Sequence, residues 1–319
     1  MSKKIDVSII IPMYNVEDYV ERCVESIKSQ KFTNYEAIFI DDGSTDLTNK
    51  TFSELLLDTR FKLYTKKNEG SGPARNYGLN ISQGEYVYFM DPDDQINENL
   101  LSENIPLIKN KNADILIFGY QQFDLNNNKI TNFIPTEFKY TINSADFQKS
   151  LNDIYLETSI HAVWNKIYKK EFLQKNDFLF SNLSTAQDAK FNWEIFRKVK
   201  RAIINNNSYY TYYLNREGSA RTKYSSNTFF NEIEVLKTME DTVNNWRCEE
   251  KFNFIVNSYK INIIRNEFKS IKRSDIVGYS HILKNGVYKD VLNIKYSELS
   301  TLKDKIKLFL IKSNLISYV

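Results

Sequence analysis

Cysteine is scarce, with two in 319 residues. Cys23 and Cys248 are far apart in sequence and suggest neither a disulfide framework nor a thiolate metal site. An excess of one charge is also lacking. The 43 Lys and Arg against 40 Asp and Glu leave a net +3, too balanced for binding nucleic acid by bulk charge, so no nucleic-acid partner is expected. No uninterrupted apolar run is long enough to cross a bilayer. Residues Met1 to Ser8 pass directly into a strand-like run, without a long apolar region or small-residue cleavage site. A cytoplasmic chain, soluble or peripheral, is expected. There is no internal repeat, and the length allows one large domain or a domain with an appendage.

The first hundred residues alternate between strand and helix. Val7-Ser8-Ile9-Ile10-Ile11 is a β-branched run ended by Pro12. Asn15 is placed to cap a helix with Glu17 and Asp18 in its first turn and Val16, Val20, Val24 and Ile27 at helical spacing. Tyr35 to Ile40 reads as a second strand, followed by a turn and a helix bearing Phe52, Leu55 and Leu56. Phe61 to Tyr64 is a third strand, and Asn68 to Pro73 a loop with Pro73 at a first helical position. Such repetition implies right-handed crossovers and an α/β fold with a mostly parallel sheet. Its strand-end turns then share one carboxyl edge.

A fourth strand, Tyr86 to Met90, is large and apolar throughout and reads as buried on both faces. It ends in Asp91-Pro92-Asp93-Asp94. Pro92 disfavours helical geometry at Asp91, so the acids project from the carboxyl edge. Carboxylates this close repel unless neutralised, and oxygen ligands on a short loop suit magnesium or manganese. A solvated acidic turn or a helix cap is the plainer alternative.

Four blocks in order, Val7 to Asn15, Asp41-Asp42-Gly43-Ser44-Thr45-Asp46, Ala74-Arg75-Asn76-Tyr77-Gly78 and Asp91 to Asp94, resemble the successive signatures of family 2 glycosyltransferases. The resemblance implies a GT-A fold, a UDP-sugar donor and Mn2+ or Mg2+. It implies that Asp41 or Asp42 binds the nucleoside, with Pro12 and Tyr14 shaping the base-binding wall and Arg75 facing an anion at a helix end. A capping turn at Asp41 and Asp42, strand-end packing of Tyr14 and a solvated Arg75 are the alternatives. Asp93 matches the last acid of the family's Asp-x-Asp motif and is the expected metal ligand. Asp91 then meets the ribose or the metal's water shell, and Asp94 supports the loop or the donor sugar.

Further blocks carry the resemblance on. Trp164-Asn165-Lys166 resembles a block of bacterial members, which implies that Trp164 offers a stacking face to a sugar and that Lys166 binds a phosphate or packs on the donor. A core tryptophan and a surface lysine are the bland readings. Ser184 and Gln187 have capping-box spacing, which places Asp188 in a helix's first turn; the resemblance implies that it is the catalytic base of an inverting transfer, and a carboxylate that merely complements the helix end is the alternative. The family has Glu-Asp where this chain has Gln187-Asp188, so a non-catalytic nucleotide-sugar-binding or scaffolding homologue is the alternative function. Tyr209 to Arg221 is an aromatic strand entering a basic loop, with Arg216 and Arg221 as candidate diphosphate contacts.

These blocks imply a GT-A domain over residues 1–222 and a helical region over 223–319. The implied acceptor is a saccharide or lipid-linked saccharide in bacterial surface-polysaccharide assembly. In the helical region, Leu302, Ile306, Phe309, Leu310 and Ile316 alternate with Lys303, Lys305, Lys307 and Lys312. Such a segment suits peripheral membrane contact, domain packing or a homodimer through the C-terminal helices.

Overall fold

The computed structural model describes residues 4–55, 58–216, 226–270, 281–313 and 315. Leu56, Arg221 and Ile316, singled out above, lie outside them, as does the side chain of Leu55. The chain divides into two compact units, Met1–Leu183 with Gln187–Ser219, and Ser184–Ala186 with Ala220–Val319.

The first unit is built on one sheet. Its strands are β1 (Val7–Met13), β2 (Tyr35–Asp41), β3 (Phe61–Thr65), β4 (Tyr86–Phe89), β5 (Gln95–Ile96), β6 (Ile115–Asp124), β7 (Lys129–Phe133), β8 (Lys139–Thr141), β9 (Lys166–Lys169) and β10 (Ala202–Leu214). The order is β3-β2-β1-β4-β9-β6-β10-β5, with β7 on β6 and β8 on β10. Strands β1 to β4 are mutually parallel. Because β9 is antiparallel to both β4 and β6, and β10 is parallel to β6, six of the eight strands on this path run one way. The expected mostly parallel α/β sheet is present, and β4 lies at its centre, buried over its whole length.

Helices cover both faces. α1 (Val20–Lys28) and α4 (Leu100–Lys111) pack Val20, Val24, Ile27, Ile105 and Ile108 onto Ile9, Ile11, Phe39 and Tyr88. On the other face, α3 (Ser71–Ile81) brings Ala74 to Ile38 and Ile40. α2 (Thr48–Leu55) lies on the α1 face, where Phe52 comes within 4.2 Å of the Phe39 ring. The alternation of side chains along each strand explains the division, since neighbouring residues enter opposite layers.

Three helix starts differ from the sequence expectation. Asn15 does not cap α1: it takes a left-handed conformation, and its side-chain oxygen accepts the Thr45 N–H at 2.8 Å, so the helix starts at Val20. Pro73 is third in α3, which begins at Ser71 after Gly70 with φ 97°. Ser184 and Gln187 form no capping box. A left-handed turn at Ala186 precedes α7 (Gln187–Phe196), and the Gln187 amide donates instead to the Ser71 hydroxyl.

The second unit is helical, with α8 (Ser226–Trp246), α9 (Glu249–Ser270), α10 (Gly286–Asn293) and α11 (Leu302–Lys312). Leu236, Met239 and Val243 of α8 and Ile261, Ile264 and Phe268 of α9 are buried. Among the described residues no helix is long and apolar enough to cross a membrane.

Candidate active site at the carboxyl edge of the sheet

Strand β4 stops at Phe89, and Asp91 to Asp94 turn the chain into β5, which pairs with β10. That return brings Asp94 under two β10 residues. The Tyr210 hydroxyl donates to Asp94 Oδ2 at 2.6 Å, and the Tyr213 N–H to Oδ1 at 2.9 Å. Both Asp94 oxygens are therefore engaged in holding the loop. Burial, then the charges of Asp93 and Asp91, push its pKa well up, against the lowering by these two hydrogen bonds.

Asp93 is buried and pairs with Arg216 Nε, while its carbonyl accepts from Arg22. Burial first and the Asp91 charge second raise its pKa to about 6, with Arg216 pulling the other way. Ligand atoms of Asp91, Asp93 and Asp94 lie within 4.8 Å of one another. Three hard oxygen donors on one short loop fit a divalent cation such as magnesium or manganese. With Asp94 committed to β10, Asp91 and Asp93 are the donors of choice.

Arg75 joins this loop to the rest of the site. It stems from α3 and is buried, so it is not a solvated residue. Its Nη2 donates to Asp91 Oδ1 at 2.8 Å and its Nη1 to Asp188 Oδ1 at 2.7 Å. Burial alone would lower its pKa, but the charges of Asp188 and Asp91 outweigh that and raise it. Asp188 sits in the first turn of α7, where an ionised carboxylate is favoured by the helix dipole. One guanidinium thus binds carboxylates separated by 97 positions, and the fork geometry of arginine makes this possible.

The β2 end is also ordered. Asp42 accepts from Lys66 Nζ at 2.7 Å, Gly70 N–H at 2.7 Å and Glu69 N–H at 3.1 Å, so its carboxylate shapes the loop before α3. Asp41 accepts from Ser44 N–H at 3.0 Å and Asn49 Nδ2 at 3.2 Å. Asp41 serves the turn that precedes α2, and Asp42 the loop that precedes α3. Pro12 is buried in β1 and Tyr14, just beyond, is exposed.

Two expectations are corrected. Trp164 offers no open face: it is buried and stacked on Tyr210 at 4.5 Å and Tyr212 at 5.6 Å, with Tyr120 edge-on. The ring packs in the aromatic layer because alternate β10 tyrosines share one face. Lys166 is neither a surface lysine nor open to a ligand. It is fully buried and donates to Ser159 O at 2.9 Å, Ala162 O at 2.5 Å and Asn165 Oδ1 at 2.8 Å, and burial pushes its pKa far down. Arg22, Tyr210 and Tyr213 were not singled out as site residues. Arg22 lies 3.8 Å from the Tyr213 ring centroid, a contact between α1 and β10 that no local motif encodes. For Tyr210, the only sequence signal is its place in the Tyr209 to Tyr213 run.

Strand order, both covered faces and an acidic turn leaving the central strand define a GT-A fold. The chain belongs to glycosyl transferase family 2, whose family model matches residues 8–176. It is 28% identical over 227 residues to the glycosyltransferase GlyA of Streptococcus pneumoniae, across 67% of this chain and 31% of GlyA. It is 27% identical over 239 residues to the poly(ribitol-phosphate) beta-N-acetylglucosaminyltransferase TarS of Staphylococcus aureus, across 73% of this chain and 40% of TarS. The chain therefore spans less than half the length of either relative. The crystal structure of TarS 1–349 in complex with UDP-GlcNAc matches with a TM-score of 0.64 at 20% identity, covering 98% of this chain and 88% of that one. The mannosyltransferase PcManGT from Pyrobaculum calidifontis, in complex with GDP-Man and Mn2+, matches at 0.56 and 13% identity, covering 99% and 88%.

Proposed function

We propose that this chain is a metal-dependent, inverting glycosyltransferase that moves a sugar from a UDP-sugar to an acceptor hydroxyl. The observation that carries the reading is the Arg75 bridge, which holds the metal-loop acid Asp91 and the base candidate Asp188 in one site. Asp93 and Asp91 would hold the cation, Mn2+ or Mg2+, which when bound neutralises charge developing on the leaving diphosphate. Asp94 fixes the loop through Tyr210 and Tyr213. Arg75 orients Asp188, which takes the proton from the acceptor hydroxyl. The acceptor oxygen then bonds to the anomeric carbon from the face opposite the diphosphate, the bond to the diphosphate oxygen breaks, and the configuration inverts.

Asp41, Pro12 and Tyr14 line the nucleoside end of the site in this reading, and Asp42 orders the loop beside it. Arg216, paired with Asp93, is placed to exchange that partner for the donor's diphosphate, with Arg221 a further candidate. The GT-A domain spans about residues 1–222, with a helical region over 223–319. In this reading the acceptor is a saccharide or lipid-linked saccharide in bacterial surface-polysaccharide assembly and the setting is cytoplasmic; the relative TarS is named for transfer to poly(ribitol-phosphate).

Calorimetric titration with UDP and GDP, each with and without Mn2+, tests the donor site. UDP binding that requires metal is expected. Asp188→Asn should keep that binding and lose transfer. An Asp188→Asn variant that transfers at the wild-type rate would overturn the base assignment. Absence of nucleotide binding under all conditions would favour the scaffolding homologue marked by Gln187.

A further inference from the structure

Helix α11 has two apolar faces, and only one is packed. Asp304, Leu308 and Ile311 are buried in the second unit. The Ser258 hydroxyl donates to Asp304 Oδ2 at 2.9 Å, and Lys307 Nζ donates to Asn262 Oδ1 at 2.6 Å, which ties this face to α9. On the other side, Leu302, Ile306 and Phe309 are 73%, 51% and 54% exposed. Their spacing sets them within an arc of about 60° at roughly 100° per residue. Lys303 falls on one flank of this stripe, and Lys305 and Lys312 fall on the other. Lys303 and Lys305 form no ion pair among the described residues. Lys312 donates to Ile294 O at 2.7 Å beside the half-exposed Tyr296 ring. The helix's single acid, Asp304, is on the packed face.

An apolar stripe between lysine flanks, with no acid on it, matches the boundary of an anionic bilayer. Leucine, isoleucine and phenylalanine enter the acyl margin while the lysine stems carry their ammonium groups to lipid phosphates. A second copy of the chain is a poorer occupant. Lysines on both flanks mean that any two-fold pairing of the stripe sets lysine against lysine. We propose that this face of α11 docks the protein on an anionic membrane surface. The inference does not depend on the transferase reading, since it uses no residue of the candidate active site.

The test is co-sedimentation of the full chain with vesicles of phosphatidylcholine alone, or of phosphatidylcholine with phosphatidylglycerol, at increasing salt. Binding to the phosphatidylglycerol vesicles is expected, falling as salt rises. Leu302→Ser, Ile306→Ser and Phe309→Ser combined should weaken it roughly 100-fold. Lys303→Gln with Lys305→Gln should weaken it roughly 25-fold. Both variants alter exposed or half-exposed positions, and unchanged thermal melting verifies that they fold. No binding to phosphatidylglycerol vesicles, equal binding to phosphatidylcholine alone, or binding indifferent to both variants overturns the proposal. A lipid-free dimer that the serine variant converts to monomer also overturns it, and assigns the stripe to a second copy.

Discussion

Arg75→Met removes a guanidinium that closes two ion pairs at 2.8 and 2.7 Å. Breaking a fully buried pair costs about 3–5 kcal/mol, because the abandoned charge stays out of water. The Asp91 and Asp188 side chains, however, are 25% and 27% exposed, so water screens them once Arg75 is gone. Each pair is then worth about 1–2 kcal/mol, and the variant should lose about 2–4 kcal/mol in total. In urea unfolding this appears as a lower midpoint at unchanged slope. A double-mutant cycle with Asp91→Asn should give a coupling of about 1–2 kcal/mol. Transfer should fall further than stability explains, by about 100-fold in kcat, because Asp188 loses the partner that orients it. Arg75→Lys should recover only part of either quantity, since one ammonium cannot reproduce the planar fork. A methionine variant with a wild-type urea midpoint, no coupling to Asp91 and wild-type kcat would refute the bridge as an organising contact.

Asp93→Ala should abolish manganese-dependent UDP affinity while leaving the fold intact, and calorimetry showing unchanged affinity would move the ligand assignment elsewhere. Gly84→Ala should destabilise by about 1–3 kcal/mol, because a Cβ there would meet Ser8 N at 2.4 Å and Val7 C at 2.7 Å, both backbone atoms of β1; a wild-type melting temperature would contradict that close approach. His161 accepts the Trp193 indole N–H at Nδ1, and burial followed by the Lys166 charge lowers its pKa to about 4. The unfolded chain binds this proton near pH 6.5 and the folded chain only near 4, so stability should fall by about 1–3 kcal/mol as pH drops between those values. His161→Gln should flatten that part of the urea-midpoint profile, and an unchanged slope would locate the proton uptake in another group.

The parts of this protein most legible in the sequence are those determined by neighbours in the chain. The β-branched run before Pro12, the Tyr35 to Ile40 run and the apolar Tyr86 to Met90 run locate β1, β2 and β4 through side-chain packing on a pleated surface. Acids clustered after β4 were legible as a group of close carboxylates, since three within four residues repel whatever the fold around them. The failures share one cause. Asn15, Ser184 and Gln187 have the right side chains to cap helices, but distant donors and acceptors compete for them: the Thr45 N–H, the Asn231 amide and the Ser71 hydroxyl. Trp164 and Lys166 present a sugar platform and a cation on paper. Their burial follows from which elements cover β9 and the loop before it, which no local pattern specifies.

By itself the sequence determined the parallel α/β half, the acidic turn and its place at the end of the central strand, since periodicity and chain connectivity are local and one-dimensional properties. Only the tertiary structure decided that Arg75, Asp91 and Asp188 meet, that Asp94 is held by β10, and which face of α11 is left uncovered. The first two join residues far apart in sequence once the sheet has brought the strand ends together, and the third is set by the packing of α11 on α9.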